Sequence, residues 1–243
     1  MDGKKKSDDK GKYSIYDSIT KKLKLKIISQ DIEKEDFKLK TKKNNSNEIM
    51  EYKILIIGDH LTGKTSFCLR FALNKFNLEV KSSTQSECYL KSILLLDKEI
   101  KVYLIDLSNS LNNLNKEYTK DVKGVFAIYD ITKMKTFELA ENLIKEIRQK
   151  IGNTIPILLL GNKNDLKFLR DIDYDEAIEK ANMINCPLKE INCVDENSVH
   201  DSIKYLIAKI FLDDLGDKEK EEKKEDKKDE KKQDKKDGNK EDL

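Results

Sequence analysis

Apolar residues in the middle of this chain cluster in short runs, unbroken in Val102–Ile105, Val125–Tyr129 and Ile157–Leu160 and interrupted by a polar residue or two elsewhere. Segments in which they return every three or four positions separate the runs. Tyr52–Ile57, Leu90–Leu96, Val102–Ile105, Val125–Tyr129, Ile157–Leu160 and Leu188–Asn192 have strand length. Asp97-Lys98-Glu99 divides the second run from the third and predicts a hairpin turn. Ser66–Phe71, Phe137–Ile151, Tyr174–Ile184 and Val199–Leu212 carry helical spacing, clearest in Leu139, Leu143, Ile144 and Ile147. The runs do not alternate apolar with polar, so both strand faces are expected to be buried. Strands that alternate with helices predict an α/β fold: a mostly parallel six-stranded sheet with helices on both faces.

Outside residues 51–215 the pattern changes. Residues 1–50 are rich in Lys and Asn and are expected to be a loose extension. Within them Ile15, Ile19, Leu23 and Ile27 recur at four-residue steps with lysines between. That spacing suits a basic amphipathic helix on a membrane or partner, a helix or strand packed on the domain, or disorder. Residues 216–243 are almost all Lys, Asp and Glu. Their period puts like charges four apart, as in Lys223, Lys227 and Lys231 or Glu225 and Asp229, which opposes a helix. With nothing apolar to bury, that tail is expected to be disordered.

Composition narrows the function classes. Charged residues make up 39% of the chain, yet the net charge is only +2. No bulk electrostatic partner follows, and no nucleic acid is expected. Cys68, Cys88, Cys186 and Cys193 show no metal-binding spacing. No apolar run approaches the length of a membrane span of about 18 residues. Met1-Asp2-Gly3 lacks a glycine at position two, and Lys240–Leu243 holds no cysteine for a prenyl group. The expectation is a cytoplasmic monomer that reaches membranes, if at all, peripherally through the N-terminal arm.

Candidate chemistry begins at Gly58-Asp59-His60-Leu61-Thr62-Gly63-Lys64-Thr65, which fits G-x-x-x-x-G-K-[ST]. It follows the strand Tyr52–Ile57 and precedes the helix that Ser66 opens. Successive backbone N–H groups of such a loop wrap a polyphosphate, and the helix N-terminus adds partial positive charge. Lys64 would charge-stabilise the outer phosphates, and the Thr65 hydroxyl would ligate Mg²⁺. A second motif, Asn162-Lys163-Asn164-Asp165, follows Ile157–Leu160 and Gly161, at the strand end where ligands of open α/β sheets bind. A carboxylate there accepts from both N1–H and the exocyclic amine of guanine. Adenine offers no such donor pair, so Asp165 argues against an ATP-using enzyme.

With these motifs, residues 51–212 resemble the Ras-like small GTPases, the Rab branch most. Glu51–Asp59, Leu69–Ala72, Gly124–Thr132 and Gly161–Leu166 carry the likeness. The resemblance implies the P-loop small-GTPase fold, GTP/GDP with Mg²⁺, effector and exchange-factor partners, and a role in vesicle trafficking or signalling. It implies nucleotide contacts from Gly58 to Ser66, from Asn162, Lys163 and Asp165, and from Asn192-Cys193-Val194, which stand where the family has Ser-Ala-Lys. Metal ligands would be Thr65, Asp106 through water, and either Ser83 or Thr84.

The departures bear on catalysis. Asp106 is kept, but the glycine and glutamine of the family's second switch are Asn109 and Ser110. Ser110 is too short to orient the attacking water, so hydrolysis is expected to be weak. His60 and Leu61 replace small residues within the loop, and Leu61 is expected to force a different local backbone. Cys88 and Ile105 replace a Phe and a Trp that many Rab effectors grip. A pseudo-GTPase scaffold, with structural nucleotide or none, is the alternative reading.

Overall fold

A computed structural model of the protein describes residues 26–27, 50–77, 86–95, 98–107 and 116–237. Its strands are β1 (Lys26–Ile27), β2 (Met50–Gly58), β3 (Glu87–Leu95), β4 (Lys98–Asp106), β5 (Val122–Asp130), β6 (Ile157–Asn162) and β7 (Leu188–Glu190). Its helices are α1 (Lys64–Leu73), α2 (Lys116–Thr119), α3 (Met134–Ile151), α4 (Tyr174–Met183) and α5 (Glu196–Asp237), with a 3-10 turn at Asn164–Leu169.

The sheet order is β1-β3-β4-β2-β5-β6-β7. The β4-β2-β5-β6-β7 block is parallel throughout, while β3 pairs antiparallel with β4. This is the six-stranded, mostly parallel sheet the pattern predicts. The two-residue β1 adds to its edge, with Lys26 opposite Leu94 and Ile27 opposite Ile93. Of the stripe at Ile15, Ile19, Leu23 and Ile27, only Ile27 lies among the described residues, and there the backbone is extended.

The apolar runs have a direct physical cause. In β2, Ile54 and Ile56 point into one core, against Phe67 and Phe71 of α1 and Val199, Ile203 and Leu206 of α5. Leu55 and Ile57 point into the other, against Phe137, Ala140, Leu143 and Ile144 of α3 and Ala177 of α4. Each fully buried Ile or Phe contributes about 1.5–3 kcal/mol, so a polar residue at either parity would be costly. Phe67 meets Phe126 at 5.0 Å, and Tyr129 meets Phe137 edge-on at 5.0 Å, one aromatic pair in each layer.

The sequence reading and the structure part at the C-terminus. The last helix does not end near Leu212 but continues to Asp237, through most of the tail expected to be disordered. Lys and Glu are strong intrinsic helix formers. The spacing that sets like charges four apart also sets opposite charges three apart, as in Glu225 and Lys228 or Asp229 and Lys232, which offsets the penalty. No helix among the described residues is long and apolar enough to cross a membrane.

Candidate nucleotide-binding site

β2 is the point where strand order reverses, since β3 and β4 are laid down on one side of it and β5, β6 and β7 on the other. Clefts of open α/β sheets form beyond the C-terminal strand ends at such a point. Gly58 ends β2, Asp106 ends β4, Asp130 ends β5 and Asn162 ends β6, so four candidate or neighbouring residues share one edge.

The phosphate loop is shaped by two glycines and one leucine. A Cβ at Gly58 would stand 2.2 Å from the Ile128 carbonyl oxygen, so only glycine lets β2 approach β5 there. Gly63 has φ +100° and would place a Cβ 2.1 Å from Asn162 Nδ2. Leu61 has φ 57°, the left-handed region that glycine fills freely. The leucine therefore holds a backbone conformation that its residue type disfavours. Its side chain is exposed, so no clash prevents this, and the conformation itself costs about 1–2 kcal/mol.

Gly63 caps α1 without a side-chain bond, and no acidic residue occupies the first turn of that helix. Its first N–H groups are thus left to an anion, with no acidic side chain of the helix's own first turn to compete for them. Lys64 is buried, and its Nζ donates to the Gly58 carbonyl at 3.1 Å and the Asp59 carbonyl at 2.8 Å. Burial pushes the ammonium pKa down, partly opposed by the charges of Asp106 and Asp59. Thr62 is buried and donates from Oγ1 to the Asp59 carbonyl at 2.9 Å, which holds the loop's curvature.

Thr65 Oγ1 donates to Asp106 Oδ2 at 2.5 Å. Asp106 is fully buried, and its Oδ1 has no hydrogen-bond partner. Burial pushes its carboxyl pKa up, while the Thr65 hydroxyl and Lys64 pull it down. A buried carboxylate oxygen without a partner beside a hydroxyl is a donor set that suits a hard cation such as Mg²⁺. Among the described residues no group of three or more His, Cys, Asp or Glu gathers around a metal site. Such a cation would therefore need phosphate and water oxygens to complete its shell. Ser83 and Thr84, the candidate third ligands, and Asn109 and Ser110 lie outside the described residues.

Asn162 ties the site together. It is buried, its Nδ2 donates to the Thr62 carbonyl at 2.8 Å, and its Oδ1 accepts from the Cys193 N–H at 3.3 Å. One amide thus joins the phosphate loop to Asn192-Cys193-Val194. Lys163 has a left-handed backbone (φ 69°), and its Nζ meets Asp130 Oδ2 at 2.6 Å. The ion pair anchors the ammonium and leaves the aliphatic stem along the cleft. Asp165 is exposed at the start of the 3-10 turn. The Val194 N–H is taken by Asn192 Oδ1 at 2.8 Å, and Cys193 N–H by Asn162. A base oxygen would therefore compete with bonds these amides already make. Burial pushes the Cys193 thiol up to about 12, so it acts as packing and not as a nucleophile.

A cleft of 390 Å³ brings most of these residues together: His60, Leu61, Gly63 to Ser66, Asn162, Lys163, Asp165 and Asn192 to Val194. Phe76, Asn77, Lys133 and Leu166 also line it, and the sequence reading missed them. Phe76 lies just past the left-handed Asn74 that ends α1, a lone aromatic after a helix stop, which is the signal that marks it.

A glycine-bounded loop between β2 and α1, at the reversal point of a mostly parallel sheet, defines a P-loop nucleotide-binding α/β protein. The sequence model of the Ras family matches residues 53–212, and the chain belongs to that family. It is 32% identical over 162 residues to GTP-binding protein ypt3 of Schizosaccharomyces pombe and, over the same length, to Ras-related protein Rab-11A of Dictyostelium discoideum. Each match spans 66% of this chain and 76% of the relative, which makes it a Rab-like member.

Proposed function

We propose that this protein binds GTP and GDP as a Rab-like switch of vesicle trafficking or signalling and hydrolyses GTP slowly. The observation that carries the reading is the pair of hydrogen bonds made by Asn162, which couples the phosphate loop to the loop beside Asp165. A site with that coupling reads base and phosphate as one unit. The relatives named above are a GTP-binding protein and a Ras-related protein, which supports the guanine assignment.

In this reading Asp165 accepts from the guanine N1–H and amine, and the stem of Lys163 lies against the ring. The N–H groups of residues 59–65 and the α1 N-terminus bind the phosphates. Lys64 leaves its two carbonyl partners for the outer phosphates. Mg²⁺, held by Thr65 and by Asp106 directly or through water, would neutralise phosphate charge. Slow hydrolysis rests on Asn109 and Ser110, which leave the attacking water without the family's orienting glutamine. Partner recognition is also expected to differ, because Cys88 and Ile105 face one another across β3 and β4 where Rabs present larger rings.

Incubating purified protein with GTP and following GDP formation over hours tests the reading. Retention of guanine nucleotide with slow turnover supports it, and turnover at ordinary Rab rates overturns the slow-hydrolysis part. The pseudo-GTPase scaffold draws on one observation: Lys64 and the Cys193 and Val194 amides are all satisfied within the protein. Absence of extractable guanine nucleotide, with no thermal shift on adding GDP and Mg²⁺, would favour it.

A further inference from the structure

We infer that Arg70 is a positioning residue that holds the base loop in register with the phosphate loop and so sets how long guanine nucleotide stays bound. The inference rests on the guanine-nucleotide reading above. Its observation is a single guanidinium shared between two parts of the site. Arg70 Nε donates to the Cys193 carbonyl at 3.0 Å, and Nη2 donates to the Val194 carbonyl at 3.0 Å. Nη1 donates to Asn74 at both its carbonyl (3.3 Å) and its Oδ1 (3.1 Å). The carbon at the centre of the guanidinium lies 5.6 Å from the centroid of Phe76, which lines the cleft.

The placement gives the contact its meaning. Arg70 stands on α1, the helix whose N-terminus completes the phosphate loop. Cys193 and Val194 belong to the loop beside the base. A rigid fork that grips two successive carbonyls from that helix fixes the distance between the two halves of the cleft. Asn74 extends the brace, since its Nδ2 donates to Glu196 Oε2 at 2.8 Å at the start of α5. The loop's own N–H groups are held by Asn162, Asn192 and Ser198, while the carbonyls of Cys193 and Val194 are held by Arg70. Val194 is half exposed and stands where the family's lysine would be. Asn162 reaches only the Cys193 N–H, on the other face of the same residue. Arg70 touches no candidate phosphate or metal ligand, so its loss should alter retention of the nucleotide and not the chemistry on the phosphates.

The test uses the full chain loaded with a fluorescent GDP. Arg70→Ala is expected to release it about tenfold faster or more, because two charge-assisted bonds to the base loop vanish together. Arg70→Lys keeps the charge but cannot span both carbonyls, so its release rate should fall between the two. Single-turnover GTP hydrolysis should stay within about twofold of wild type in both variants, a split that general destabilisation would not produce. Release at the wild-type rate in Arg70→Ala overturns the inference, as does a parallel change in release and hydrolysis. Should Arg70→Ala fail to fold, Arg70→Lys decides, with an unchanged release rate counting against the proposal. A wild-type chain that binds no GDP overturns the guanine reading itself, which separates the two failures.

Discussion

Replacing Asn162 with alanine is the sharpest perturbation of the site's framework. The side chain is buried and makes two bonds, to the Thr62 carbonyl at 2.8 Å and from the Cys193 N–H at 3.3 Å. Thr62 and Cys193 are themselves buried, so neither backbone group gains water when the amide goes. Leaving a buried backbone group unsatisfied costs about 1–3 kcal/mol. The longer Cys193 bond belongs at the low end and the Thr62 bond in the middle, which makes about 3 kcal/mol together. For a domain of this size the melting temperature then falls by about 6–12 °C. Urea and thermal denaturation of nucleotide-stripped protein measure this. Asn162→Asp should cost at least as much, because it turns an acceptor toward the Thr62 carbonyl. A loss below about 1 kcal/mol in Asn162→Ala would refute the view that this amide joins the two loops.

Other outcomes follow from single contacts. Leu61→Gly should leave stability unchanged or raise it by up to about 1 kcal/mol, since relief of the left-handed φ is partly offset by a freer unfolded chain. Leu61→Ala keeps the strain and should show no gain in the same denaturation assay; equal behaviour of the two would count against the backbone argument. Chelating Mg²⁺ should speed GDP release from the wild type, whereas Asp106→Asn should release at nearly one rate with or without the cation. An unaltered Mg²⁺ dependence in that variant would remove Asp106 from the metal site. His200 meets Phe71 edge-on at 6.1 Å, and burial and then the charge of Lys91 hold its pKa below 6.5, opposed by Glu196 and Asp201 and reinforced by Lys204. A depressed histidine is neutral when folded, so stability should fall as pH drops below 6.5 and level off below the folded value. His200→Gln should flatten that slope below pH 6.5, and an identical slope would refute it.

The parts of this structure that were legible in the sequence are those where local pattern and tertiary demand agree. Tyr52–Ile57 reads as a strand buried on both faces, because helices cover both sides of β2. Gly58, Gly63 and Lys64 announce themselves because no other residue type meets the steric and charge needs of the loop. Other features depend on long-range partners that no spacing reveals. Arg70 reads as an ordinary exposed helix residue until the carbonyls of Cys193 and Val194 are seen beside it. Asn162 has a second task because its two partners lie 100 and 31 residues away. Leu61 holds a backbone that its type disfavours, which an exposed side chain meets without a clash. The helix continues beyond Leu212 because the helical propensity of Lys and Glu outweighs like charges four apart.

On the proposed reading, the cleft grips guanine nucleotide more securely than it cuts it. Extracting the nucleotide from the purified full chain, identifying it by chromatography and following its fate over hours tests that most directly. About one guanine nucleotide per chain is expected, with loaded GTP that persists for hours. A chain that carries no guanine nucleotide and gains no thermal stability from GDP and Mg²⁺, or that prefers ATP in competition, would contradict it.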